Sequence, residues 1–404
     1  MIPFSPPRID QKVIDEVVDS LKSGWITTGP KTKKFENNLI DFCGCKKVLA
    51  VSAATTGLEL ILRWFGVKEG DEVILPAYTY CATANVVVHC GATPVFVDVN
   101  SDDFNISLDA IKKAITPRTK VIMPVDLGGF PCDYAEIMDL VSSKEITSVF
   151  SAETDIQEKL GRIFILSDSA HSIGAKYSGS RAGTFADVSV FSFHAVKNLT
   201  TAEGGAVCLN LPSQFDCEEL YKYLCTLSLH GQNKDALAKS KKGAWKYDVI
   251  EAGYKSNMTD LQAAIGLVEL ERYDNDMLVK RRRIFDIYSE SLSKYDWAEL
   301  PIYETESKVS SYHVYLLRIK DVTEAQRDEI IQGIFDKDVS VNVHFQPLPL
   351  LTFYKNMGYK IEDYPVSFDN YSREISLPVY YNLTDIQVQT VINAVVDSVN
   401  EVLG

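Results

Sequence analysis

Two residues in this sequence are of types that do chemistry, and both stand where a charge is costly. Lys197 follows the apolar positions Val188, Val190, Phe191 and Phe193, and small polar residues and a Glu203-Gly204-Gly205 turn come after it. Asp168 ends the run RIFILSD. An ammonium or a carboxylate at the end of a buried strand leaves water at high cost. For the lysine, burial lowers the pKa, and a neutral amine is a nucleophile toward carbonyls. An enzyme whose lysine bonds an aldehyde cofactor such as pyridoxal 5'-phosphate (PLP) has that need. For the aspartate, a partner must be found, and a protonated pyridine nitrogen is one. Each residue also has a plainer reading: a snorkelling lysine on a turn, and a helix N-cap. His171, three residues after Asp168, either bonds a ligand or fills core.

The elements that must position these residues alternate in kind. VLAVSA, DEVILPAY, ATPVFVDV, KVIMPVD and RIFILSD read as strands, separated by the helical segments TTGLELILRWFG, ATANVVVHC, SLDAIKKAI and YAEIMDLV. Unbroken apolar strands between helices predict a doubly wound, mostly parallel sheet covered on both faces. Ligands bind at the carboxyl ends of such strands. The residues delivered there are Thr55 and Thr56, Tyr78 to Tyr80, Asp126 and Asp168. Thr55 and Thr56 combine hydroxyls with the free N–H groups of a helix start, which suits an anion or merely caps the helix. Residues 142–161 read as a surface insertion. Beyond residue 210 the alternation fades. A long polar loop, 231–257, exceeds an ordinary connection, and one helix is expected from Thr259 to about Ser293. HVYLLRI, VSVNVHF, EAQRDEIIQGIF and DIQVQTVINAVVDSV then make a small α+β unit. The boundary is expected near residue 270, giving 1–270 with an N-terminal arm and 271–404. Lys280–Arg283, KRRR, reads as a solvated face or a phosphate patch.

Composition excludes several classes. The 404 residues carry a net charge of −14, which disfavours nucleic acid and anionic membranes as partners. None of the eight cysteines forms a CxxC, and the six histidines add no metal-ligand spacing, so no metal is expected. Buried thiols in a reducing cytosol are the favoured reading. The opening MIPFSPPRID lacks the pattern of a secretory signal, and no apolar run approaches the roughly 20 residues of a membrane helix. A cytoplasmic protein is expected.

GWITTGP, GDEVILPAYTY, GATPVFVDV, AITPRTKVIMPV, DSAHSIGA, SFHAVKNLTTAEGG, GYKSNMTDLQAAIG, VNVHFQPL and ISLPVY occur in this order over nearly the whole chain. Together they resemble the DegT/DnrJ/EryC1/StrS family of PLP-dependent nucleotide-sugar aminotransferases. The resemblance implies fold type I, the aspartate aminotransferase architecture, with a large sheet domain and a small C-terminal α+β domain. It implies that Lys197 is the Schiff-base lysine and proton shuttle, and that Asp168 pairs with the pyridine nitrogen. Tyr80 would lie against the cofactor face, Thr55, Thr56 and Ser192 would contact its phosphate, and His171 would neighbour its ring. Asn257 would reach the phosphate of the other subunit, so that a homodimer shares its active sites. Trp25, His230 and His344 fall in segments that line the family's sugar-nucleotide site. Two departures stand out: Asp126 occupies a position where many members have histidine, and the 142–161 insertion is longer than usual.

The implied reaction moves an amino group from L-glutamate, leaving 2-oxoglutarate, to the C4 keto group of a UDP-linked 4-keto-6-deoxy sugar, for surface polysaccharide or glycan synthesis. A C3 aminotransferase acting on a dTDP-3-keto-6-deoxy sugar is the alternative enzyme, and a PLP-binding regulator the alternative from another class. Members that dehydrate their sugars replace the Schiff-base lysine with histidine, so Lys197 favours amino transfer.

Overall fold

A computed structural model describes residues 1–234 and 246–404, so the middle of the 231–257 loop, residues 235–245, lies outside the described residues. In chain order the strands are β1 (Lys47–Val51), β2 (Glu72–Pro76), β3 (Thr93–Val97), β4 (Thr119–Ile122), β5 (Phe164–Asp168), β6 (Lys176–Tyr177), β7 (Ser180–Arg181), β8 (Val188–Ser192), β9 (Gly205–Leu209), β10 (Ala298–Glu299), β11 (Lys308–Val309), β12 (Tyr315–Ile319) and β13 (Glu374–Leu377). The main sheet has seven strands in the order β1-β9-β8-β5-β4-β2-β3. Neighbours pair in parallel except β9, which runs antiparallel to both β1 and β8. This is the α/β fold type I architecture. The strands expected for this sheet are present, and β9, which the apolar-run reading does not separate from the turn before it, completes it; VSVNVHF, read as a strand of the small unit, forms only isolated bridges at Val339 and Asn342.

Glycines place one helix where the chemistry needs it. The helix Ala54–Trp64 lies on β8 and β9 so closely that a Cβ at Gly57 would come within 2.9 Å of Val207 and 3.0 Å of Val190. At Gly205 a Cβ would stand 2.6 Å from the amide nitrogen of Ala54 and 2.7 Å from the carbonyl oxygen of Phe191. The Glu-Gly-Gly turn therefore lets the start of this helix approach the carboxyl end of β8, whatever the glycines cost in chain entropy.

A three-stranded antiparallel sheet, β10-β12-β13, forms the second layer with the helices Leu278–Leu292, Glu324–Asp336 and Asp385–Leu403. Its apolar core runs from Ile284 to Val399 and also takes in Ile2. The N-terminal arm starts here: Ile2 bridges Val339, and the guanidinium of Arg8 lies over the Tyr381 ring at 3.8 Å and pairs with Asp276 at 2.6 Å. Among the described residues no helix is long and apolar enough to cross a membrane.

Three expectations change. The helix from Thr259 is two helices, Asp260–Glu271 and Leu278–Leu292, joined by a π-helical turn at Tyr273–Met277. The 142–161 segment, expected as a surface insertion, lies mostly at the surface but has regular structure. It forms the short helices Lys144–Thr147 and Asp155–Leu160, capped by Ser143 and Thr154, and its buried Gln157 donates to the carbonyl of Phe65 at 3.0 Å. In KRRR, Arg281 is buried and donates to the carbonyls of Tyr312 and His313, while Arg282 and Arg283 pair with Glu304 and Asp385. Successive residues on a helix are turned by about 100°, so one residue of a basic run can face the core while its neighbours face solvent.

The helix Pro30–Cys43 has no side-chain cap of its own at Gly29. The buried Asp260 does that work from across the fold, accepting from the N–H groups of Gly29, Lys31 and Thr32 and from the Thr32 hydroxyl at 2.7–3.0 Å. Asp260→Ala strands these donors, and we expect it to cost about 2–3 kcal/mol, read as a lowered Tm. Asp260→Asn, which keeps one acceptor oxygen, should lose less. Equal loss from both would show that packing, not capping, is what Asp260 supplies.

Candidate active site

The carboxyl ends of β5 and β8, the start of the helix Ala54–Trp64 and the N-terminal arm enclose a cavity of about 400 Å³. Lys197, Asp168, Thr55, Tyr80, His171, Ser192 and His344 line it. Seven of the residues expected from sequence thus meet on one surface, although they come from five separate stretches of chain.

Asp168 is buried, and its carboxylate is held by short-range donors. The Thr83 hydroxyl donates to Oδ2 at 2.8 Å, and the N–H of Ala170 donates to Oδ1 at 3.2 Å. Burial pushes its pKa up, and Thr83, Ala170 and the Lys197 charge pull against that. Lys197 is only partly buried because it lines the cavity, yet loss of hydration brings its amine down to about 8, with Asp168 acting in the opposite sense. Burial also holds His171 well below the ordinary imidazole range, with Lys197 adding to the effect, and brings His344 down to about 4. The cavity therefore presents the neutral imidazoles of His171 and His344 near the Lys197 amine and the Asp168 carboxyl group.

The phosphate-binding expectation has a local basis. The helix Ala54–Trp64 starts at Ala53 with no side-chain cap, so its first N–H groups are free to meet an anion. Thr55 and Ser192 line the cavity. Thr56 does not; its hydroxyl donates to the carbonyl of Ala53 at 2.8 Å. Trp25, His230 and Asn257 also lie off the cavity wall. Trp25 donates from its ring nitrogen to the carbonyl of Thr28, Asn257 donates to the Thr28 hydroxyl, and the amide of His230 donates to the carbonyl of Tyr254. Asp126 lies off the cavity wall as well. It is wholly buried behind β5, accepting from Ser172, Tyr134 and the N–H of Cys132 at 2.7–3.0 Å.

Sequence reasoning missed several neighbours. Thr83 stands one helical turn after Tyr80, a spacing that could have identified it. His313 packs on His171 with ring centroids 4.4 Å apart, and its Nδ1 lies 2.7 Å from Oδ1 of Asn198. Phe4 and Phe345 complete the wall; nothing in their spacing signals this.

The model of the DegT/DnrJ/EryC1/StrS aminotransferase family matches residues 7–396. The chain belongs to this family. It is 36% identical to the spore coat polysaccharide biosynthesis protein SpsC of Bacillus subtilis over 98% of this chain and 97% of that protein. Spr1654 of Streptococcus pneumoniae, a candidate sugar aminotransferase, is 44% identical in its PMP form, with a TM-score of 0.96 and full coverage of both chains, and its PLP form has a TM-score of 0.95. PseC of Helicobacter pylori, an aminotransferase of pseudoaminic acid biosynthesis, is 27% identical with a TM-score of 0.86 over 99% of each chain. Members of the family are PLP-dependent transaminases.

The residues here fit that cofactor. A buried carboxyl group awaits a cationic partner, an amine has been brought toward neutrality, and Nδ1 of His171 is buried without a hydrogen-bond partner. An uncapped helix start lies at the same wall.

Because burial depresses the Lys197 amine, its neutral fraction rises with pH through about 8, roughly 2 pH units below an ordinary lysine. We expect pulse acetylation of the apoprotein, read by mass spectrometry, to show that midpoint. Asp168→Asn removes the charge that favours the ammonium and should move the midpoint lower still. A midpoint near that of surface lysines would contradict the desolvated geometry.

Proposed function

We propose that the protein is a sugar aminotransferase transferring the amino group of L-glutamate to the C4 keto group of a UDP-linked 4-keto-6-deoxy sugar. The observation that carries the reading is that Lys197 and the buried Asp168 line one cavity. SpsC, Spr1654 and PseC, whose names concern polysaccharide, sugar and pseudoaminic acid chemistry, support a sugar as acceptor. The C4 position and the UDP group rest on the resemblance of SFHAVKNLTTAEGG to C4-aminating members.

In this reading Lys197 would hold PLP, Asp168 would pair with its ring nitrogen, Tyr80 and His171 would neighbour the ring, and Thr55, Ser192 and the amide of Thr56 would hold its phosphate. When bound, PLP supplies an aldehyde for amine exchange and a ring that accepts the electrons of a broken C–H bond. The chain's residues do the rest. With the donor bound, Lys197 would be a free amine near neutrality whose Nζ takes up the donor's α-proton and gives it back. Asp168, whose carboxylate Thr83 and Ala170 stabilise, keeps the ring nitrogen protonated. Phe4, Val314 and Phe345 exclude water from the cavity.

A homodimer with shared sites completes the reading. Asn257 lies outside its own chain's cavity, and Tyr80 and Val196, which line the cavity, are exposed apolar side chains. Both suit a second subunit whose Asn257 reaches in, with the boundary between 1–270 and 271–404 near the π-helical turn. Two half-reactions sharing one site should give ping-pong kinetics.

Lys197→Ala should abolish amino transfer, a loss of roughly 10²–10⁴-fold or more, and free the cofactor from covalent attachment while the fold persists. The wild-type protein should be yellow, bleach with L-glutamate, and recover its colour with a UDP-4-keto sugar but not with 2-oxoglutarate-free buffer alone. NMR of the product decides between C4 and C3; recovery only with a dTDP-3-keto sugar would replace the proposed acceptor.

A further inference from the structure

One buried acid beside the cavity has no part in the chemistry above. Glu374, the first residue of β13, is wholly buried. The backbone N–H of His344 donates to its Oε2 at 3.0 Å, and the Ser376 hydroxyl lies 2.6 Å from its Oε1. The same hydroxyl lies 2.9 Å from Nδ1 of His344. A continuous hydrogen-bonded line thus runs from a buried carboxyl group to an imidazole that lines the cavity with Lys197 and Asp168. Phe4 fixes the imidazole further, stacked on it with centroids 5.4 Å apart.

Such a line has two senses. With Glu374 ionised, Ser376 donates to the carboxylate and accepts from Nδ1–H, so Nε2 of His344 carries a lone pair. With Glu374 protonated, the carboxyl O–H donates to Ser376, the hydroxyl donates to Nδ1, and Nε2 carries the hydrogen.

We propose that Glu374 and Ser376 are positioning residues that set and reverse the tautomer of His344, so that protons enter and leave the cavity at Nε2 and are stored on the Glu374 carboxyl group. The balance closes. A proton given by Nε2 to a substrate oxygen is replaced at Nδ1 by that of Ser376, which takes the proton of Glu374. The carboxyl group becomes a carboxylate, the serine regains its hydroxyl, and the imidazole stays neutral throughout.

The surroundings favour this route over an imidazolium. His344 faces the Lys197 charge, with His171 stacked beyond Phe345 and His313 beyond His171. Burial and Lys197 bring His344 down to about 4, so it stays neutral at working pH. Around Glu374 stand Arg327 and Arg318, which favour the carboxylate, and the buried Tyr78 phenol. Burial outweighs the arginines and pushes Glu374 up to about 8. Below that value Nε2 is a donor and above it an acceptor. Replacing a keto oxygen by an amino group releases the oxygen as water, which must take up protons. That destination rests on the proposed sugar amination; the relay itself does not.

The test reads the imidazole nitrogens of the full-length, ¹⁵N-histidine-labelled protein by long-range ¹H–¹⁵N NMR between about pH 6 and 10, with His344 assigned from His344→Asn. Wild-type His344 should exchange Nε2–H for Nδ1–H with a midpoint near 8. In Glu374→Gln the His344 N–H requires the amide oxygen at the Oε2 position, which leaves the NH₂ donating to Ser376 and locks Nε2–H at every pH. Ser376→Ala cuts the line, provides the test should the glutamine variant not fold, and should leave the tautomer independent of pH. In the holoenzyme, the pH profile of kcat near 8 should change in Glu374→Gln to the limb of Lys197 alone, while KM for the sugar changes less. A single wild-type tautomer across the range, or the wild-type switch surviving in either variant, would overturn the relay. Because the NMR readout needs neither cofactor nor substrate, failure of the sugar assignment would leave it standing.

Discussion

The structure turns on the cost of taking one amine and one carboxyl group out of water at the same place. In a soluble fold such a pair is tolerated only where each group is compensated. Here the compensation is deliberately incomplete. Asp168 receives two donors, Thr83 and the Ala170 amide, and keeps an ionised form within reach against its burial. Lys197 receives no such help and falls to about 8. A fully satisfied pair would be inert. This one leaves a carboxyl group short of a cation and an amine brought toward its nucleophilic form, which a protonated ring carrying an aldehyde would answer.

Holding that imbalance requires the whole chain. The close contact of the helix Ala54–Trp64 with β8 and β9 depends on Gly57 and Gly205, and it brings an uncapped helix start beside the carboxyl end of β8. The far wall comes from the second layer. His313 and His344 are carried by segments flanking β12 and β13, and Asn198, next to Lys197, donates to the carbonyl of Ser311 at 2.7 Å and meets His313. Arg281 donates to the carbonyls of Tyr312 and His313 from the helix after the π-turn. The site is therefore a junction between two layers, and its polar groups are locked by bonds that cross it.

What the sequence disclosed follows from what kind of signal each feature leaves. Apolar runs between helices announced the parallel sheet, and Asp168 and Lys197 were legible because charged residues ending such runs are conspicuous. Strand β9 was hidden because its five residues directly follow the turn that the lysine motif needs. The break at Tyr273–Met277 leaves no proline or glycine to mark it, so the helical pattern reads straight through. Arg281 was misread because a run of basic residues looks solvated, although consecutive residues on a helix point to different sides. The side chains of Thr56 and Asp126 are bonded within the protein and lie off the cavity wall, for a common reason. Position at a strand end says that a residue is near the ligand face, but not whether its polar atoms are already spent on the protein itself.

The N-terminal arm shows how the same layers close the cavity. Ile2 is pinned in the core of the second layer by its bridge to Val339, and Arg8 is pinned by Asp276 and Tyr381. Between these anchors the chain has no freedom to stay away from the cavity. Phe4 stacks on His344, and the Ser5 hydroxyl donates to the carbonyl of Val196. A segment tied at both ends loses little further entropy when it covers the site, so the arm can exclude water from Lys197 at small cost. Since loss of hydration is what makes that amine reactive, the first eight residues, far from any catalytic motif in sequence, belong to the machinery that sets its pKa.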